Sequence, residues 1–274
     1  MEAPQMSMCF RSVLGGFFIC SATTVWPYDQ PVTHPALSSR AARISALYDG
    51  LLMARLGRPP TSVSSFRYRG RNGDRTTQGT TTYNLAQLIG EGAFDEDEGV
   101  RALNHFYDPL LDRPLTPSPL PSRRSWQWML ETNGPISGQD RSLSDAKDYF
   151  YQALTFNEGS PRASDTERGK NWGLLFLSLG GAVHHMQDMA QPQHVRNDQH
   201  CDTWYCLTLN NPSLYETYTA QKAGRVDAIA AFASPMYPGP TEFTQLRHFW
   251  FNYSETYPGI AEFTNRHFVS QGTN

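Results

Sequence analysis

Three side chains suited to binding a transition metal stand close together in His184-His185-Met186-Gln187-Asp188-Met189-Ala190-Gln191-Pro192-Gln193-His194. Positions four apart share one face of a helix, so His184 and Asp188 can grip a single ion. Pro192 stops the helix, and the chain must turn there and present His194 to a neighbouring position. His185 points about 100° away around the helix and is read as structural. Further donors lie elsewhere: His34, the acidic run Asp95-Glu96-Asp97-Glu98, His105 within Asn104-His105-Phe106-Tyr107-Asp108-Pro109, and Glu216. Imidazoles and carboxylates are the nitrogen and oxygen ligands of catalytic zinc sites, which activate water for hydrolysis.

The elements that must position these residues are helical. Apolar residues recur at helical spacing from Ala36 to Leu56 (Ala42, Ile44, Leu47, Leu51, Leu52), whereas strict alternation is scarce throughout the chain. Ser164-Asp165-Thr166-Glu167 matches a capping box and opens a helix that carries Leu174, Leu177, Gly181, His184 and Asp188 on one face and ends near Ala190. Gly180 and Gly181 are read as permitting close helix approach rather than cradling phosphate. Other helices are expected from about Leu143 and from Leu214 to Ile229, with an aromatic-rich segment from Glu242 onward. Arg69 to Thr82 and the proline-rich Asp108 to Ser122 are expected as surface loops, and Asp95 and Glu98 as a solvated acidic face. The fold class is therefore all-α, a single multi-helix domain with long irregular loops and a metal-lined cleft.

Composition narrows the partners. With 274 residues and 39% hydrophobic content, the chain is large enough for one sizeable core. A formal net charge of −3 and a pI near 6.2 give no basic field for long polyanions, so no stable nucleic-acid partner is expected. Arg11 precedes the apolar run Val13 to Cys20, and Ser21-Ala22-Thr23-Thr24 follows, the order of a short secretory signal over residues 1–25. The run is too short to span a bilayer. Export would let Cys201 and Cys206 close a small disulfide loop.

In chain order, Trp26, His34, the acidic run, His105-Phe106-Tyr107-Asp108-Pro109, the His184 to His194 string and Glu216 resemble the zinc-dependent bacterial phospholipase C family, whose relatives include single-strand-specific zinc nucleases. Two strings carry the resemblance: the family's H-F-Y-D-P at His105, and H-x-x-x-D-x-x-Q-P-x-H at His184. The likeness implies up to three zinc ions in an α-helical cleft formed by residues 26–274. Carried over by position, Trp26, through a free amine and carbonyl, would join His34 and Asp188 at one ion. His105, His184 and Asp188, with Asp97, would form a second site. Asp97 is preferred over its nearest competitor, Glu96, because the Gly92-Ala93-Phe94 approach resembles the family's approach to its catalytic aspartate. The third site joins His194 and Glu216, but where the family has a histidine four residues before that glutamate this chain has Pro212. Three outcomes are open: another residue such as His200 substitutes, water completes a weak site, or the site is vacant.

The implied activity is phosphodiester hydrolysis, with metal lowering the pKa of bound water from about 15.7 toward about 7 and Asp97 orienting or deprotonating that water or serving purely as a ligand. A secreted, monomeric phospholipase C acting on phospholipid at a lipid surface is expected rather than a nuclease, because no Gly-Gly-Asn-type segment follows His194. A catalytically impaired zinc-binding protein is the other class. Choline preference is not implied: Glu98 and Ala102 stand where aromatic residues would be expected.

Overall fold

The computed structural model describes residues 32–45, 50, 54, 84–116, 118, 120–155, 165–200, 213–223 and 245–270. Among them are eight α-helices and no strand: α1 (Thr33–Ile44), α2 (Leu85–Glu96), α3 (Ser125–Leu130), α4 (Leu143–Leu154), α5 (Asp165–Asp188), α6 (Pro192–Val195), α7 (Leu214–Ala223) and α8 (Ile260–His267). Short 3₁₀ turns occupy Gly99–Asn104 and Leu246–Phe249. The all-α expectation holds. No described helix is long and apolar enough to cross a membrane.

Local signals explain the boundaries. Ser142 caps α4 by accepting from the Asp145 amide, and the Asp145 carboxylate accepts in return from the Ser142 amide. α5 begins at Asp165, where the capping signature places it, although Ser164 itself lies outside the described residues. It ends at Asp188, two residues before the expected stop. Pro192 then opens α6 at its first position, where a missing amide hydrogen costs nothing. α1 corrects the helix expected from Ala36 to Leu56: it starts earlier, at Thr33, and stops at Ile44, because Ser45 is extended and its hydroxyl and amide both close back on the Ala42 carbonyl. Ile44 is solvent-exposed and stands off the buried face that carries Ala42, while Leu47, Leu51 and Leu52 lie outside the described residues. α2 has no counterpart in the sequence reading. It is opened by a reciprocal cap in which Asn84 Oδ1 accepts from the Gln87 amide at 2.8 Å and Gln87 Oε1 accepts from the Asn84 amide at 3.0 Å.

α5 runs through the middle, with α2 and α4 packed along it and α1 resting on α2. Leu85, Leu88 and Ile89 of α2 meet Trp172, Phe176 and Leu177 of α5 in the main core, which Ala146 and Ala153 of α4 and Ala42 of α1 complete. Two glycines let the α2 and α5 backbones touch. A Cβ on Gly180 would fall 2.8 Å from the Ala93 amide nitrogen, and one on Gly92 would fall inside the main chain of Leu177. The close approach expected of Gly180 is thus real, and it brings the C-terminal ends of α2 and α5 together. A second core of Tyr107, Met189, Val195, Trp250 and Ala261 packs just past the end of α5.

Candidate metal centre

Between these two cores, donors from five segments converge. α1 contributes His34, the end of α2 Asp97, the turn after it His105, α5 His184 and Asp188, and α6 His194. All are buried; Asp97, at 8% exposure, is the most accessible of them. Placing so many ionisable groups out of water costs several kcal/mol per charge unless partners or a cation offset it.

The geometry supplies the reason for gathering them. Ligands held about 2.0–2.1 Å from a tetrahedral ion lie roughly 3.3–3.4 Å from one another. His105 Nδ1 and His184 Nε2 are 3.1 Å apart, and each lies 3.3 or 3.4 Å from Asp97 Oδ1 and from Asp188 Oδ2. Five edges of the four-donor cage therefore match a tetrahedral shell. The outer ring nitrogens are committed elsewhere: His184 Nδ1 donates to the Ala93 carbonyl at 2.7 Å and His105 Nε2 to the Glu96 carbonyl at 3.0 Å. Both lone pairs are thereby aimed inward, the tautomer that metal-ligating histidines adopt. Asp97 Oδ2 and both Asp188 oxygens are buried with no hydrogen-bond partner, which is the signature of acceptors waiting for a cation. This buried group can hold a metal ion.

Asp188 faces two ways. Its Oδ2 belongs to the cage, while Oδ1 lies 3.4 Å from His34 Nε2 and 3.0 Å from His194 Nδ1. His34 is oriented by Gln187, whose amide oxygen accepts from His34 Nδ1 and whose amide nitrogen donates to Ser38. One carboxylate can thus bridge two ion positions, the cage and a second site beside His34. Trp26, expected at that second site, lies outside the described residues, as do the proposed signal segment, the loop from Arg69 to Thr82, Cys201, Cys206 and Pro212.

His200, one of the residues weighed against Pro212, stands beside Glu216. His200 Nε2 lies 2.7 Å from Glu216 Oε1, with His194 Nε2 on the same oxygen at 3.8 Å and the His194 and His200 rings stacked at 5.1 Å. His194, His200 and Glu216 form a third buried donor group, with His200 supplied by the segment after α6. Gln191 locks the arrangement: its side-chain oxygen caps α6 through the Gln193 and His194 amides while its nitrogen donates to Glu216.

The electrostatics follow from burial and proximity. Burial works against the charged form of His184, yet Asp97 and Asp188 outweigh it and push its pKa up to about 10. Burial and the charge of His184 bring His105 down to about 4, against the pull of Asp188 and Asp97. Burial raises the two aspartates, but His194, His184 and His105 hold Asp188 well below the usual carboxylate range and His184 and His105 lower Asp97. Burial likewise opposes a charged His200, and Glu216 overcomes it, lifting the pKa to about 9. At neutral pH one proton sits on the His105 and His184 pair and another on His200, each where a cation would otherwise sit.

The string around His105 earns its residues one by one. The Phe106 ring lies 4.7 Å from that of His194, the Tyr107 amide donates to the His194 carbonyl at 3.1 Å, and Asp108 gathers the Leu110 and Leu111 amides and the Arg113 guanidinium. His185, read from the sequence as structural, is bonded to Ser125 and Glu96, and with Glu96 and His105 it forms a further buried donor group. Asp95 corrects the solvated acidic face: it is 5% exposed and paired with Arg141. A run of four acids at a helix end reads as solvated, and only the fold shows that α4's leading loop covers it. Gln187 and Arg101 carry no signal in the sequence, because an amide and a lone arginine have no ligand spacing, and Gln191 stands there only as a member of the His184 to His194 string. No family model matches the chain, and no curated protein or solved structure matches it.

Proposed function

We propose that the chain is a secreted zinc-dependent phosphodiester hydrolase, a phospholipase C that cleaves glycerophospholipids to diacylglycerol and a phosphorylated headgroup. The observation that carries this reading is the convergence of the two family-like strings: His105 from one and His184 and Asp188 from the other meet Asp97 at tetrahedral spacing. The nitrogen and oxygen donor set suits zinc, which also tolerates the irregular coordination that carboxylates impose. Zinc bound there would supply Lewis acidity toward phosphate oxygens and a lowered pKa for coordinated water.

The chain's own residues do the rest. Asp97, His105, His184 and Asp188 would hold one ion, His34 and Asp188 with Trp26 a second, and His194, His200 and Glu216 a third. Asp97 Oδ1 faces His105 and His184, which favours a ligand role, and with zinc held there its unpartnered Oδ2 would be free to orient water or accept a proton from it. Phe106 seals the His194 side of the centre with an apolar ring. His200 beside Glu216 supports a complete third donor set and weakens the case for an impaired protein. The substrate side of the reading rests on the likeness to the phospholipases and on the absence of a basic field.

The test is release of phosphomonoester by the full-length, signal-processed protein from a panel of phospholipids, with single-stranded DNA alongside and a chelator control. Chelator-sensitive release of a phosphorylated headgroup is expected. Cleavage of DNA alone moves the protein to the nuclease branch, and metal uptake without turnover on any substrate refutes the hydrolase.

A further inference from the structure

We propose that Glu96 is a positioning residue for the metal centre: its buried carboxylate anchors the end of α2 so that its own main-chain carbonyl fixes the tautomer and aim of His105. The proposal rests on the metal-binding reading of the centre.

Glu96 is 1% exposed and fully engaged. Its Oε2 accepts from Arg101 Nε at 3.2 Å and Nη2 at 2.7 Å, a two-pronged hold that closes the turn between α2 and the 3₁₀ segment bearing Arg101. Its Oε1 accepts from Trp128 Nε1 at 2.7 Å and from His185 Nε2 at 3.2 Å. The His185 arm continues outward: Trp250 Nε1 donates to Ser125 Oγ at 3.0 Å, Ser125 Oγ and His185 Nδ1 are hydrogen-bonded at 2.9 Å, and His185 Nε2 faces the Glu96 carboxylate. Arg101 is itself braced by Gln139 Oε1 at 2.7 Å and by the Gly138 carbonyl. Three segments thus converge on one carboxylate.

A buried ion pair of this kind contributes little net stability compared with apolar side chains of similar volume, so stability alone does not account for it. What the network does achieve is placement. The same residue whose side chain is held on four donors offers its carbonyl to His105 Nε2 at 3.0 Å, and that bond decides which His105 nitrogen faces Asp97, Asp188 and His184. Were the carbonyl free to swing, His105 could take up the other tautomer and present an N–H to the cage. Outer groups that orient a ligating histidine typically change metal affinity 10–100-fold when altered.

The experiment uses Glu96→Gln and Arg101→Lys in the full chain, the second keeping the charge but losing the fork. Cage affinity is measured by Co²⁺ in competition with a chelator, and the His105 ring tautomer in metal-free protein by ¹H–¹⁵N correlation, assigned with a His105→Gln control. Glu96→Gln should retain the helical circular dichroism and the Co²⁺ affinity of the His194, His200 and Glu216 group, lose roughly 10–100-fold at the cage, and show both His105 tautomers. Arg101→Lys should lose less in the same direction, and carries the test if Glu96→Gln does not fold. A folded variant with wild-type cage affinity and a single Nε2-protonated His105 overturns the proposal, as does an equal loss at both groups, which marks general loosening. Failure of the wild-type protein to take up Co²⁺ instead overturns the metal-binding reading, and the tautomer measurement still decides the role of Glu96.

Discussion

Metal uptake by this centre should release protons at a pH where ordinary histidines have none to give. An unperturbed imidazole, with a pKa near 6.5, is almost fully deprotonated at about pH 8.5. In the cage, burial is overcome by Asp97 and Asp188 and His184 is pushed up to about 10, while His105 is brought down to about 4. Between those two values the pair carries one proton, and an ion can enter only by displacing it. Each cage ion should therefore release about one proton throughout roughly pH 6 to 9, and its affinity should rise about tenfold per pH unit until His184 itself deprotonates. His200, raised to about 9 by Glu216, adds a second proton for the His194, His200 and Glu216 group, with its contribution fading as pH passes that value. Titration calorimetry at about pH 8 in buffers of differing ionisation enthalpy counts these protons directly, and His200→Ala removes the share of the third group. One proton for the cage ion is the expected count in that variant. Stoichiometric uptake with no proton released, or an affinity flat from pH 7.5 to 9, would refute the claim that the two carboxylates hold His184 protonated.

Other perturbations separate the sites. Asp188→Asn removes the carboxylate shared by the cage and the His34 position, so metal content measured after dialysis should fall by both ions, whereas His200→Ala should lose only the third. Gly180→Ala forces a Cβ to within 2.8 Å of the Ala93 amide nitrogen and should destabilise by about 1–3 kcal/mol, read by denaturant unfolding; unchanged stability would show that the α2 and α5 contact can relax. Chelator-treated protein should be most stable near neutral pH. Its lowered Asp97 and Asp188 contribute stability above the unfolded carboxylate pKa that is lost as pH falls, and its raised His184 contributes stability below about 6.5 that is lost as pH climbs through about 10. A melting temperature that keeps rising from pH 7 to pH 10 would contradict this.

How far the sequence reveals such a centre depends on whether the chemistry or the packing chooses the residue. His184 and Asp188 are legible because two donors four apart share one helix face, and the helix that carries them announces its start with the capping signature Ser164 to Glu167. His105 and Asp97 are legible only as members of a string and an acidic run, since the cage they complete with α5 exists only once Gly92 and Gly180 let two backbones meet. α2, which delivers Asp97, escaped the periodicity reading because Gly90 and Gly92 interrupt its apolar stripe, although Asn84 and Gln87 spell its cap. His200 shows the opposite limit. A donor set is a constraint on positions in space, and Glu216 can be met by an imidazole approaching from the α6 side as well as from its own helix, so a motif written as residue spacing registers Pro212 as a loss while the fold brings His200 to Glu216 from another segment. Glu96 goes further still. Nothing in four consecutive acids marks the second as the one held by Arg101, Trp128 and His185, because that choice is made by three partners, two of them distant in sequence, that the 3₁₀ turn after α2, α3 and α5 bring to one point.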